Sequence, residues 1–173
     1  MSTILFSSDL LRRLRGPAVL GLSVVSLAAC TDSNGNDISG PSRDCIEALD
    51  LGDVPFDEDD VRPIDVGDSR SGSISTSDVD IEYEGFGLFY NDFYVFNSGN
   101  GGSITIEVDP ASSFDVSLEI YDDDIVRLDY QDEGGEGDIE ESVGDADEDT
   151  CYVILVSSSE PEETGSYTLR IED

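Results

Sequence analysis

Residues 104–121 read ITIEVDPASSFDVSLEIY. Ile104, Ile106 and Val108 alternate with Thr105, Glu107 and Asp109. After the break at Pro110-Ala111-Ser112, Phe114, Val116, Leu118 and Ile120 alternate with Asp115, Ser117, Glu119 and Tyr121. A strand turns successive side chains to opposite faces, so this two-residue period predicts two half-buried strands joined by a tight turn. Tyr167, Leu169 and Ile171 repeat the pattern against Thr168, Arg170 and Glu172. Residues 151–156 (CYVILV) are apolar at both parities, which predicts a central strand covered on both faces. Turn clusters lie between the runs, among them Ser98-Gly99-Asn100-Gly101-Gly102 and Gly134-Gly135-Glu136-Gly137. Residues 138–143 alternate poorly and read as an edge strand. Short strands at regular spacing with turn signals predict an all-β sandwich.

Upstream of this pattern the chain changes character. Arg12, Arg13 and Arg15 precede a short apolar run, residues 17–27 (PAVLGLSVVSL), and small residues follow at Ala28 and Ala29. This is the layout of a secretory signal. The run is too short for the roughly 18–20 residues that span a bilayer. Leu27-Ala28-Ala29-Cys30 resembles the bacterial lipobox, in which the chain is cut before the cysteine and a lipid is placed on its thiol. The resemblance implies that Cys30 is the lipidated first residue of a mature envelope protein. Thr31 rather than Asp follows, as in lipoproteins released to an outer membrane. Residues 30–44 (CTDSNGNDISGPSRD) are polar and read as a flexible tether. Asp44, Glu47 and Gly52 outline a short capped helix or turn over residues 45–51. Residues 52–69 carry Pro55 and Pro63 and read as an acidic extended loop. The chain thus divides into a signal (1–29), a tether (30–44), a pre-domain turn and loop (45–70) and a sandwich domain (71–173).

The domain resembles the bacterial pre-peptidase C-terminal domain. The resemblance rests on Gly72-Ser73-Ile74-Ser75-Thr76-Ser77-Asp78, Asn91-Asp92-Phe93-Tyr94-Val95-Phe96, Ser113-Phe114-Asp115-Val116-Ser117-Leu118, Cys151-Tyr152-Val153-Ile154 and Thr164-Gly165-Ser166-Tyr167-Thr168-Leu169. It implies a jelly-roll-like β-sandwich acting as a non-catalytic accessory unit. Asp149-Thr150-Cys151-Tyr152 replaces the family's Gly-Thr-Tyr-Tyr, and no peptidase precedes the domain.

Loss of residues 1–29 removes Asp9 and three arginines from 41 acids and 8 basic residues. The mature chain keeps 40 acids and 5 arginines, a formal charge of −35. Lysine, histidine and tryptophan are absent. Such a charge self-repels at low ionic strength and is screened near molar salt, where the Debye length is about 3 Å. The pattern resembles proteins of salt-loving organisms. No basic patch is present to meet phosphates, which argues against nucleic acid and against direct binding to anionic lipid heads. The membrane is therefore reached through the lipid on Cys30, at an outer membrane or the outer face of a plasma membrane.

Without histidine and lysine, Ser-His-Asp and Cys-His catalysis, Schiff bases and histidine metal sites are excluded. Paired carboxylates are unavoidable among 40 acids and do not mark an enzyme. Carboxylates also bind calcium. Asp78, Asp80 and Glu82, with Glu84, fall on one face of a strand opposite Val79, Ile81 and Tyr83, and Asp122 and Asp124 fall in a turn. Asp78, Asp80, Glu82, Asp122 and Asp124 are the candidate calcium ligands, weighed against plain solvated surface. Asp145, Asp147 and Asp149 begin an EF-hand-like spacing that fails at Thr150 and Val156. With Cys30 lipidated, Cys45 and Cys151 remain in an oxidising compartment. A bridge between them would close a loop of about 100 residues; two free buried thiols are the alternative. Tyr83, Phe86, Phe89 and Tyr90 gather near Gly85 and Gly87, either as core or as an exposed surface that stacks on sugars or partners. The sequence therefore predicts a non-catalytic, membrane-tethered interaction module with a protein or polysaccharide partner. Its alternative is a calcium-dependent carbohydrate- or protein-binding module.

Overall fold

The computed structural model describes residues 45–47, 49, 56, 58–83 and 85–173. The signal, Cys30, the tether and Glu84 lie outside the described residues. Ten strands follow in order: β1 (Val61–Pro63), β2 (Ser69–Ile74), β3 (Val79–Tyr83), β4 (Gly87–Asn97), β5 (Gly102–Pro110), β6 (Val116–Tyr121), β7 (Arg127–Gln131), β8 (Glu140–Ala146), β9 (Cys151–Ser158) and β10 (Gly165–Glu172). One six-stranded sheet has the order β1-β4-β9-β6-β7, with β3 also paired to β4; a four-stranded sheet has the order β2-β10-β5-β8. β1 and β3 share one edge of β4. β1 runs parallel to it from Val61↔Phe93 to Pro63↔Val95, and β3 antiparallel from Val79↔Asn91 to Tyr83↔Gly87.

The two sheets pack face to face as an all-β sandwich. The alternating apolar residues of β5, β6 and β10 all turn inward, joined by Tyr94 and Phe96 of β4 and by Tyr152, Ile154 and Val156 of β9. Each such large apolar side chain contributes about 1.5–3 kcal/mol on full burial. Glycine is required where aromatics cross the backbone. A Cβ on Gly165 would stand 2.2 Å from the Phe114 ring, and one on Gly72 would stand 2.4 Å from the Tyr167 ring.

β9 is central, between β4 and β6, as its double-sided apolar run predicts. Its other parity, Val153 and Leu155, joins Phe93 and Val95 of β4 in a second cluster on the outer face of the six-stranded sheet. The chain before β1 covers that cluster. Cys45 and Leu49 are buried in it, and Phe56 stacks on Phe93 with ring centroids 3.8 Å apart. Cys45, Ile46 and Glu47 are helical, and the Leu49 N–H donates to the Cys45 carbonyl at 3.0 Å. Cys45 and Cys151 form a disulfide with Cα atoms 5.6 Å apart, which fastens this cover to the start of β9.

Two expectations differ from the structure. Residues 52–69 are not a loop throughout: β1 lies within them and Ile64 enters the main core. Three residues that include a proline carry no readable alternation, and Pro63 is tolerated because β1 is an edge strand. β7 is not anticipated either, because its polarity is inverted. Leu128 is exposed while Asp129 accepts hydrogen bonds from Ser142 Oγ (2.6 Å) and Gln131 Nε2 (2.9 Å). These bonds hold the Asp129 carboxyl below its usual range. β8 is an edge strand, as expected, and is inverted too: Glu140 and Ser142 are buried and Val143 is exposed. Glu140 Oε1 accepts from the Gly134 N–H at 2.8 Å. Polar groups thus close the side of the sandwich where the free edges of the two sheets meet, a device that discourages edge-to-edge association.

Inside the opposite side lies a buried polar network. Asp92 receives Tyr167 OH at 2.5 Å and Arg62 Nη2 at 2.8 Å, and Tyr94 OH lies 2.7 Å from Tyr167 OH. Burial pushes the Asp92 carboxyl above its usual range, while the bonds from Tyr167 and Arg62 pull the other way. A carboxyl raised in the folded state contributes stability below about pH 4 that is lost as pH rises through its folded value. Tyr167→Phe removes a donor to the ionised form and raises that value further. The variant should lose about 1.5–3 kcal/mol at pH 7 and less at pH 4. Urea titrations of both proteins at the two pH values check this; an equal loss at both would refute it.

Candidate functional site

Among the described residues the outer face of the six-stranded sheet is covered over only part of its length, and its residue types change where that cover stops. Along β4 the outward parity runs from Val95 and Phe93 under the cover to Asn91 and Phe89 beyond it. Along β9 it runs from Val153 and Leu155 to Ser157. Along β6 it runs from Tyr121, packed against the covered cluster, to Glu119 and Ser117. Register places Asn91 opposite Ser157 and Ser157 opposite Ser117, so three polar side chains from three strands form one row. The uncovered half is a groove of about 420 Å³. Pockets for small ligands commonly measure about 300–1,000 Å³.

Aromatic side chains wall the groove at both ends. Tyr83 and Phe89 pack edge to face with centroids 5.5 Å apart, and Phe86, on the turn between β3 and β4, is 64% exposed. At the far side Tyr130 of β7 is 45% exposed, with the Arg127 guanidinium 5.2 Å above its ring. Tyr130 OH and Ser159 Oγ donate to the two oxygens of Asp132, at 2.6 and 2.7 Å. Glu119 Oε2 accepts from Tyr121 OH at 2.6 Å and from Arg127 Nη1 at 3.0 Å. Asn91 Nδ2 donates to the carbonyls of Val79 and Phe89 at 3.1 and 2.9 Å.

Ionisation leaves the groove nearly neutral. Burial raises the phenols of Tyr83, Tyr121 and Tyr130 above their usual range, with Glu119 or Asp132 adding to the effect, so all three are uncharged hydroxyls at physiological pH. The hydrogen bond to Glu119 keeps Arg127 cationic. Glu119 is the one carboxylate among the described lining residues, and Arg127 balances it. Such a surface can hold a ligand by stacking and hydrogen bonding.

The candidate residues named from sequence are dispersed. Tyr83, Phe86 and Phe89 line the groove, while Tyr90 turns into the main core. Asp78 Oδ2 accepts from the Ser75 N–H at 2.6 Å in the turn before β3, and Asp80 and Glu82 are exposed on β3. Asp122 Oδ1 accepts from the N–H groups of Asp124 and Val126, at 3.1 and 2.8 Å, in the turn between β6 and β7. Among the described residues no three acidic side chains converge closely enough to hold a metal ion. Sequence reasoning missed Asn91, Ser117, Glu119, Arg127, Tyr130 and Ser157 as one site. Its signal was the abrupt change from CYVILV to Ser157-Ser158-Ser159.

No family model and no curated protein matches the chain. Solved structures do. The sandwich is similar to the pre-peptidase C-terminal domain of a Bacillus anthracis collagenase, with a TM-score of 0.49 and 17% identity over 64% of this chain and 93% of that one. It is also similar to the Aeromonas hydrophila periplasmic inhibitor of g-type lysozyme, with a TM-score of 0.41 and 12% identity over 64% and 95% of the two chains. A third is CsCBM6-3 of Clostridium stercorarium in complex with cellobiose, with a TM-score of 0.33 and 16% identity over 64% and 93%.

Proposed function

We propose that this chain is a non-catalytic binding module, held at the cell envelope by a lipid on Cys30, that presents the groove of its six-stranded sheet to a polysaccharide or protein partner. The observation that carries the reading is the groove itself: an aromatic and hydroxyl-lined hollow whose one carboxylate among the described lining residues is paired with Arg127, on a chain of 41 acids and 8 arginines. An acidic surface that serves only solubility has no reason to gather aromatic rings in one hollow and to leave Phe86 64% exposed there. The lipid-anchored placement rests on Leu27-Ala28-Ala29-Cys30 after the apolar run.

The tether is tested by Cys30→Ser in the full chain. The variant should accumulate as an uncut precursor without acylation, while the parent protein partitions into detergent as a shorter, acylated species. A variant that is still shortened and acylated would overturn the assignment of Cys30.

A further inference from the structure

We infer that the groove takes an uncharged polysaccharide strand; this rests on the reading of the groove as the ligand site and names the ligand's chemistry. The first argument is electrostatic. A polyanion would approach a mature chain of formal charge −35, and the single arginine of the groove is already bound to Glu119 at 3.0 Å. A polycation would meet Glu119 already paired with Arg127 and, at the rim, one further carboxylate, Asp132, held by Tyr130 and Ser159, less than the rest of the acidic surface offers. Only an uncharged ligand gains from this hollow what the remaining surface does not offer.

The second argument is geometric. A pyranose ring is amphipathic, with apolar C–H faces and a rim of hydroxyls. Phe86 and Tyr130 stand exposed at opposite sides of the groove, Tyr130 with the Arg127 guanidinium over one face of its ring, and stacked aromatics suit such C–H faces. Between them Asn91, Ser157 and Ser117 form a polar floor at strand spacing, each less than a tenth exposed and with the Ser157 hydroxyl bonded to the Tyr90 carbonyl at 3.4 Å.

The third argument is that the acceptors are fixed in advance. Asn91 spends its amide donors on two backbone carbonyls, which orients its Oδ1 as an acceptor. Glu119 is held through Oε2 by Tyr121 and Arg127, and its Oε1 accepts no hydrogen bond from a described residue. Sugar hydroxyls donating to these two oxygens lose little ordering entropy, because the protein side chains are already placed.

The test is affinity electrophoresis and calorimetry in 1–2 M sodium chloride, with protein produced from the full chain. The probes are soluble β-1,3- and β-1,4-glucans and mannan, with alginate as the acidic and chitosan as the basic comparison. At least one neutral glycan should bind, and alginate and chitosan should not. Phe86→Ala and Tyr130→Ala should each weaken that binding about tenfold with unchanged melting temperature. Val143→Ala, on the exposed face of β8 away from the groove, should leave it unchanged. Absence of binding to every neutral glycan, or binding indifferent to Phe86→Ala and Tyr130→Ala, overturns the inference. If alginate, chitosan or an extended protein strand binds instead and the groove variants abolish it, the neutral-glycan inference fails while the binding-module reading stands. If the groove variants change no binding of any kind, both fail.

Discussion

The melting temperature should climb steeply between 0.1 M and 2 M sodium chloride, by about 15 °C or more. The fold places its acids so that attraction answers few of them. Among the described residues Arg62, Arg127 and Arg170 pair with Asp92, Glu119, Glu107 and Asp109. Like charges also face each other. Glu107 of β5, although paired with Arg170, stands directly opposite Glu141 of β8, Asp80 and Glu82 stand exposed on the same face of β3, and Asp122, Asp123 and Asp124 share one turn. Like charges opposite each other across a sheet are destabilising. Each such pair costs about 1 kcal/mol at 4 Å in water, against a net stability of about 5–15 kcal/mol. Near 0.1 M salt the Debye length of about 10 Å leaves these contacts unscreened; at 1 M it is about 3 Å. Recovering roughly 4 kcal/mol moves the midpoint of a domain of this size by about 15 °C. Glu141→Gln should raise the 0.1 M midpoint and leave the 2 M midpoint alone. Calorimetric scans across the salt series check both statements, and a flat midpoint would show that the acids have no role in stability.

Opening the disulfide should have the next largest effect. Cys45 and Cys151 are 106 residues apart, and a loop of that length is worth up to about 4–5 kcal/mol in the chain-entropy model. The structure adds a second loss. Cys45, Leu49 and Phe56 cover Phe93, Val95, Val153 and Leu155, and the disulfide fastens that cover. Cys151→Ser in 2 M sodium chloride should therefore lower the midpoint by about 10–20 °C. It should also raise the fluorescence of a hydrophobic dye before global unfolding, as the outer face of β4 and β9 opens. Equal midpoints for variant and parent would show that packing alone holds the cover.

Which parts of this were legible beforehand follows from the physics of a strand. β5, β6 and β10 alternate strictly because one of their faces meets the core and the other meets water. β9 is apolar at both parities because both its faces are covered, and its central position could be read from that alone; its neighbours β4 and β6 could not. β1 and β7 were not legible. β1 has three residues, too few for a period, and β7 turns Asp129 toward β8 because a polar seam closes the side of the sandwich. Of the groove, the aromatics near Gly85 and Gly87 were visible as a cluster. Their division into Phe86 at the surface and Tyr90 in the core was not.

The sequence by itself determined the two-residue period, the central strand, the cysteines available for a bridge and the acidity from which the salt response is expected. The tertiary structure alone decided where the cover over the six-stranded sheet ends. It therefore decided that Asn91, Ser157 and Ser117 become one row beneath Phe86 and Tyr130. Alternation states which residues share a face of their own strand. It is silent on which strands become neighbours, because those hydrogen bonds join segments far apart in the chain, and on which stretch of a face another segment will shield from water.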